Sequence, residues 1–241
     1  MSHLIKTSIK PVTVITGAAG NLGAAFATAM AATGARLVLL DHNADALNAV
    51  CATLPAGCEA TSFIVDLMTP AAIAQTIAAI KKRYDHIDIL ANIAGGFSMG
   101  PPVHETSDDD WERMMNLNAR SVFYLCRAIV PTMIAQGGGS IINVAARAAL
   151  MGQAQMAPYC ASKSAVMSLT ESLAAELSAH SIRVNCVLPG TLDTPQNRAA
   201  MPNADYQRWV TPASLAEVMV FLTSNAARDI SGAAIPVYGR C

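Results

Sequence analysis

Val12-Thr13-Val14-Ile15-Thr16-Gly17-Ala18-Ala19-Gly20-Asn21-Leu22-Gly23 joins a short apolar run to a glycine-rich turn and a helix start. A short β-branched run, Val12–Ile15, reads as a strand. A glycine-rich turn follows, and an alanine-rich helical pattern begins at once. Glycines let the chain turn tightly and let its backbone approach a diphosphate. The helix start behind them offers free N–H groups and the positive end of a dipole. A tight strand-to-helix turn explains the same glycines equally well, so the weight of the motif depends on what surrounds it.

Outward from this turn, short apolar runs alternate with longer helical patterns. Strands are expected at Val12–Ile15, Arg36–Leu40, Thr61–Val65, Ile87–Ala91, Ser140–Val144, Arg183–Leu188 and Ala234–Tyr238. Most are rich in Val, Ile and Leu without strict alternation, as strands buried on both faces should be. Helices are expected at about 21–33, 44–53, 70–84, 108–136, 156–180 and 212–224. Repeated β-α-β units imply an α/β fold with a seven-stranded, mainly parallel, doubly wound (Rossmann-type) sheet and helices on both faces. Two loops exceed what a crossover needs, Gly95–Ser107 and Pro189–Pro212. Both follow strand C-terminal ends, where open α/β sheets bind ligands, and the segment at about 190–212 reads as a substrate lid.

Composition narrows the function. The 241 residues are 53% hydrophobic and 14% charged with a net charge of −1, which fits one α/β domain over 1–241. Near-zero net charge argues against a general nucleic-acid or membrane-surface binder, leaving a small-molecule substrate as the expected partner. The six cysteines (Cys51, Cys58, Cys126, Cys160, Cys186 and Cys241) form no Cys-x-x-Cys pair. They read as reduced thiols in a cytoplasmic protein, with no metal site and no disulfide framework. Met1 to Lys10 contains no apolar run and does not read as a signal peptide. Leu22–Ala32 is too short and mild to span a bilayer.

The rim of the sheet collects small and polar groups. The expected cofactor contacts in the turn are Thr16, Gly17, Gly20, Asn21, Leu22 and Gly23. Asp41 ends the second strand, and its carboxylate can accept hydrogen bonds from both adenosine ribose hydroxyls. It would repel a 2′-phosphate, and the turn holds no Arg or Lys to counter it, so NAD(H) is favoured over NADP(H). A helix N-cap is the alternative role for Asp41. Asp66-Leu67 ends the third strand and Asn92-x-Ala94-Gly95 the fourth.

Three further elements complete an ordered set: Asn118, Tyr159-x-x-x-Lys163, and Pro189-Gly190-Thr191 with Thr194. This set resembles the short-chain dehydrogenase/reductase family across essentially the whole chain. The resemblance implies an NAD(P)-dependent oxidoreductase, with Tyr159, Lys163 and Asn118 as its catalytic residues. Residues i and i+4 of a helix face the same way, so Lys163 should lie near the Tyr159 hydroxyl. Its ammonium should lower the phenol's pKa, making Tyr159 a general acid or base nearer neutral pH. By resemblance, Lys163 also holds the nicotinamide ribose, Asn118 binds a water of the proton relay, and 189–194 completes the cofactor site. The helices at 108–136 and 156–180 would form the interfaces of a homodimer or homotetramer.

The chain departs from the family at the fifth strand's exit, Asn143-Val144-Ala145-Ala146. Ala146 stands where the family has a serine that hydrogen-bonds the substrate oxygen. Losing one such donor typically costs about 10²–10³ in rate. Arg147, Gln153 and Gln155 are nearby substitute donors. The dihydropteridine reductase branch of the family also lacks this serine. Ala94-Gly95-Gly96-Phe97, Ala148-Ala149-Leu150 and Leu188-Pro189-x-Thr191-Leu192-Asp193-Thr194-Pro195-x-Asn197-Arg198, then Trp209, are similar to it. That likeness implies hydride delivery to an activated heterocycle, with Phe97, Ala146, Gln153 and Trp209 around the substrate. The alternatives are a carbonyl reductase or alcohol dehydrogenase with a substitute oxygen donor, and a non-catalytic NAD-binding protein.

Overall fold

The computed structural model describes residues 10–240. The N-terminal reading therefore falls, but for Lys10, outside the described residues, as does Cys241. The strands are β1 (Val12–Thr16), β2 (Arg36–Asp41), β3 (Ala60–Ile64), β4 (Ile89–Asn92), β5 (Gly139–Val144), β6 (Ile182–Pro189) and β7 (Ala234–Val237). They form one sheet in the order β3-β2-β1-β4-β5-β6-β7. All six neighbouring pairs are parallel, so the sheet is a Rossmann-type doubly wound one throughout. The chain moves outward through β2 and β3, then returns to the other side of β1 with β4. That reversal opens a crevice between the C-terminal ends of β1 and β4.

Helices cover both faces, which is why the central strands read as unbroken apolar runs. α1 (Asn21–Ala32), α2 (Ala44–Thr53) and α8 (Pro212–Thr223) bring Phe26, Met30, Leu47, Leu215 and Met219 against Ile15, Leu37, Leu39 and Val187. α3 (Pro70–Arg83), α5 (Ser121–Gln136) and α6 (Ala157–Leu177) bring Ile73, Ile77, Leu125, Ile129 and Val166 against Val12, Val14, Leu90 and Ile141. Each such side chain contributes about 1.5–3 kcal/mol on full burial, so these two layers, not the ion pairs on the surface, hold the sheet that positions the rim.

The structure departs from the expected elements in two places. The helix read at 108–136 is three pieces: α4 (Asp108–Met114), a π-helical stretch Met115–Arg120, and α5. The wider turn carries Asn118 inward to 1% exposure, and a side chain drawn inward this way is a common setting for a π-bulge. The expected lid contains a short helix, α7 (Pro195–Ala200), and a 3-10 turn at Tyr206–Arg208. A bridge between Leu192 and Val210 closes its neck. Thr194 caps α7, accepting the Asn197 N–H at 3.2 Å, and Pro195 opens the helix, where its missing N–H costs nothing.

Candidate functional site

The glycine turn is built to bring the first helix close to the strand ends. Gly17 has a left-handed φ of +64°, and a Cβ there would lie 2.8 Å from the Ala94 Cα. A Cβ at Gly23 would collide with the Gly17 carbonyl. Thr16 fastens the β1 and β4 exits together, its Oγ1 accepting the N–H groups of Ile93 at 3.0 Å and Ala94 at 3.1 Å. α1 then begins at Gly20 with no side-chain cap, whereas α2 and α8 are capped by Asn43 and Thr211. The first-turn N–H groups at Asn21, Leu22 and Gly23 are thus left to an anion at the rim.

Asp41 stands beside this helix start at 7% exposure. Its Oδ2 accepts the Ala19 N–H at 3.0 Å and its Oδ1 the Asn43 N–H at 3.0 Å. Asn43, not Asp41, caps α2, taking the Ala46 N–H at 3.0 Å. Two carboxylate oxygens with one backbone partner each keep lone pairs for a ribose diol. The uncapped helix start, this carboxylate and the buried Lys163 amine together suit the diphosphate, adenosine ribose and nicotinamide ribose of a dinucleotide.

Other rim residues also make contacts within the scaffold. Asp66 accepts the Met68 N–H and the Thr69 hydroxyl, each at 2.9 Å, bracing its own turn, and Leu67 is buried in the core. Asn92 is 2% exposed and donates to Asn143 Oδ1 at 2.8 Å. A Cβ at Gly190, just past Pro189, would lie 2.9 Å from the Tyr238 carbonyl oxygen. The Thr191 carbonyl accepts the Val210 N–H at the neck of the lid. Asn21 reaches across to the lid, donating to Gln196 Oε1 at 3.0 Å.

At the chemical end, Tyr159 lies in the first turn of α6, its ring edge-on to Phe97 with centroids 5.0 Å apart. Lys163, one turn on, is 5% exposed and donates from Nζ to the Val144 carbonyl at 2.8 Å. Gly95 keeps the rim open above it, since a Cβ there would come within 3.2 Å of Nζ. The expectation that Lys163 lowers the phenol's pKa is corrected by the surroundings. Burial pushes Tyr159 up to about 12 and Lys163 down to about 8. Desolvation disfavours both charged forms, and the neighbouring Cys160 adds to the rise at Tyr159. Both shifts favour the uncharged forms of the pair.

The Asn118 side chain is engaged at both its oxygen and its nitrogen, with one Oδ1 lone pair left over. Its Oδ1 accepts the Gly96 N–H at 2.8 Å, and its Nδ2 donates to the Gly96 carbonyl and to Ser162 Oγ, each at 3.0 Å. The amide is a clamp between the β4 exit loop and α6. Ser162, fully buried, completes it by donating to the Tyr159 carbonyl at 2.8 Å. Sequence reasoning passed over Ser162, although it stands inside Tyr159-Cys160-Ala161-Ser162-Lys163, three residues after the tyrosine.

Ala146 is 6% exposed and packs with Ala148, Cys160, Met156 and Tyr159. The Arg147 guanidinium lies over the Tyr238 ring at 5.1 Å. Gln153 is exposed. Gln155 holds a φ of +63° and its carbonyl accepts the Gly100 N–H at 2.8 Å, joining the two loops beside Tyr159. Phe97, Met99, Leu150 and Met151, on those loops, expose 59, 62, 56 and 71% of their surface. Trp209 stacks instead on Tyr206 inside the lid, with centroids 4.8 Å apart, and Tyr206 also lies under Arg198. The structure thus gathers Gly95, Phe97, Asn118, Ala146, Tyr159 and Lys163, and uses Trp209 to brace the lid.

Among the described residues, no helix is long and apolar enough to cross a membrane, and no group of three or more His, Cys, Asp or Glu is placed to hold a metal ion. The family model for short chain dehydrogenases matches residues 11–205. D-threitol dehydrogenase of Mycolicibacterium smegmatis is 34% identical over 238 residues, covering 95% of this chain and 91% of its own. Sorbitol dehydrogenase of Cereibacter sphaeroides is 35% identical over 228 residues, covering 92% and 88%. The crystal structure of NAD+-bound xylitol dehydrogenase superposes with a TM-score of 0.89 at 30% identity, covering 95% of this chain and 98% of that one.

Proposed function

Because the chain belongs to the short-chain dehydrogenase family, we propose that it is an NAD(H)-dependent reductase that protonates its substrate from Tyr159 and uses no serine. The observation that carries this reading is Tyr159 one helical turn before the buried Lys163 and packed on Ala146, which stands in the position of the missing hydroxyl. The nicotinamide supplies the hydride. Tyr159 delivers the proton to the atom that gains charge, and the Lys163 amine, poised near neutral pH, stabilises the phenolate left behind. Asp41 holds the adenosine ribose and rejects a 2′-phosphate. An acceptor that is already electron-poor needs no second hydrogen-bond donor. A quinonoid dihydropterin is such a planar acceptor, and the exposed Phe97 ring offers it a stacking surface.

The second reading is a carbonyl reductase or alcohol dehydrogenase with a substitute donor. The threitol, sorbitol and xylitol dehydrogenases among the similar proteins favour it. The apolar rim of Phe97, Met99, Leu150 and Met151 weighs against a polyol, whose buried hydroxyls would each need a partner. NADH oxidation separates the two readings, with quinonoid dihydropterin set against ketones, aldehydes, quinones and keto-sugars. The expected result is turnover of the activated planar acceptor, unchanged within about twofold by Ala146→Ser. Turnover confined to sugars and simple ketones, rising about 10²-fold in Ala146→Ser, would refute the serine-free reading.

The same reading includes assembly and location. α5 exposes Phe123, with the Arg127 guanidinium 5.0 Å from its ring centroid. A homodimer or homotetramer through α5 and α6 would cover this face, and light scattering is expected to show twice or four times the 25.1 kDa chain mass. The free thiols of Cys51, Cys58, Cys126, Cys160 and Cys186 suit the cytoplasm.

A further inference from the structure

The polar contacts around Tyr159 close into a circuit. Ser162 Oγ donates to the Tyr159 carbonyl at 2.8 Å and receives Asn118 Nδ2 at 3.0 Å. Asn118 grips both the N–H and the carbonyl of Gly96. The next residue, Phe97, returns its ring to Tyr159 at 5.0 Å and 81°. Gly96 lies close over Leu117, since a Cβ there would come within 2.8 Å of a Leu117 methyl. The Asn118 amide has its oxygen and its NH2 both engaged, and Ser162 is its only contact with α6 in this circuit. Phe97 itself is 59% exposed, so little packing fixes its ring apart from the backbone behind it.

We propose that Ser162 is a positioning residue for the reaction: through Asn118 it holds the Gly96-Phe97 segment against the Tyr159 end of α6, and so fixes where the Phe97 ring rests on the Tyr159 ring as the wall beside the reacting hydroxyl. This rests on the reading of Tyr159 as the proton donor, but it concerns a different step. Ser162 touches neither substrate nor proton; it fixes the wall against which the substrate lies. Removing its hydroxyl leaves one Asn118 N–H in a buried site with only the weak thioether acceptor of Met114 Sδ at 3.8 Å, and a stronger partner requires the amide to turn away from Gly96. The Phe97 backbone then loses its register with Tyr159.

A double-mutant cycle tests this. Ser162→Ala is expected to lower kcat/KM about tenfold, as is Phe97→Ala, and the double variant is expected to be no worse than either alone, because both remove the same placed wall. NADH binding, followed by fluorescence, is expected to stay within about twofold in all three. Ser162→Cys keeps the volume and a weak donor, and is expected to recover part of the loss. Crystal structures of the parent and Ser162→Ala proteins give a readout independent of turnover: the ring separation should grow beyond 5.0 Å in the variant. If no acceptor is ever reduced, the functional reading fails while the crystallographic comparison still decides this one. A double variant about 10²-fold impaired, or a Phe97 ring that keeps its place in Ser162→Ala, would overturn the proposal.

Discussion

Tyr159→Phe is expected to lower kcat by about 10²–10⁴-fold, the usual worth of a positioned acid, with NADH affinity changed by less than about twofold. The phenol hydroxyl is the group removed; the ring that packs on Phe97, Ala146 and Cys160 stays. Stability should therefore hold, and a matched thermal melt separates lost chemistry from lost fold. The direction of the reaction gives a second signature. With the phenol pushed up to about 12, the acid form dominates at every pH from 6 to 9, so reduction should be limited little by Tyr159 in that range. Oxidation needs the phenolate, whose fraction grows with pH, so the reverse rate should climb through the same range. Lys163, brought down to about 8, loses its charge above that value. Its loss removes the cation that stabilises a phenolate and should bend the oxidation profile downward at higher pH. Equal profiles for the two directions, or a Tyr159→Phe protein that retains more than a tenth of the parent kcat, would remove Tyr159 from the role of acid.

The elements that sequence rendered well are those governed by local chemistry. The β1 run, the glycine turn and α1 follow one another because β-branched residues, glycines and alanines each favour one backbone geometry. Asn21 opens α1 and Pro212 opens α8 as their positions foretold. What sequence could not render depends on groups distant along the chain. The π-helical stretch at Met115–Arg120 exists where Asn118 meets Gly96, 22 residues away, and Ser162, 44 residues away. No periodicity in 108–136 announces it. The same distance separates the spacing argument for Tyr159 and Lys163 from their behaviour. Helical spacing places the two side chains on one face, but the sign of the phenol's shift is set by burial, which only the packed loops at 95–100 and 146–156 supply. Trp209 shows how a lid aromatic can also serve the lid: its ring lies against Tyr206, 4.8 Å between centroids, a contact that sequence did not announce.

The rim residues divide in a way that sequence leaves open. Thr16 and Asn92 stand at strand exits like Asp41, yet their side chains are taken up by neighbouring backbone and by Asn143. Asp41 differs because each of its oxygens holds one backbone N–H and keeps a lone pair at the edge of the crevice.

Asp41→Asn is accordingly expected to move cofactor preference. Two unit charges about 4 Å apart at an effective dielectric of about 20 repel by about 4 kcal/mol, and solvent at the crevice reduces this. A shift of about 10²-fold in the ratio of kcat/KM for NADPH over NADH follows when the charge is removed. The substitution also has a structural cost. An amide has one oxygen where the carboxylate has two, so either the Ala19 or the Asn43 N–H loses its acceptor, for about 1–3 kcal/mol. Loss at Ala19 would loosen the glycine turn, which serves both cofactors alike. The two effects separate cleanly: the ratio reports the charge, while the fall common to NADH and NADPH, together with the melting temperature, reports the turn. Asp41→Ala removes both acceptors and should deepen the common fall without moving the ratio further. An Asp41→Asn protein whose NADPH-to-NADH ratio stays within about threefold of the parent's would show that the carboxylate does not face the ribose. Asp41 would then be a brace for the turn, of the same kind as Thr16.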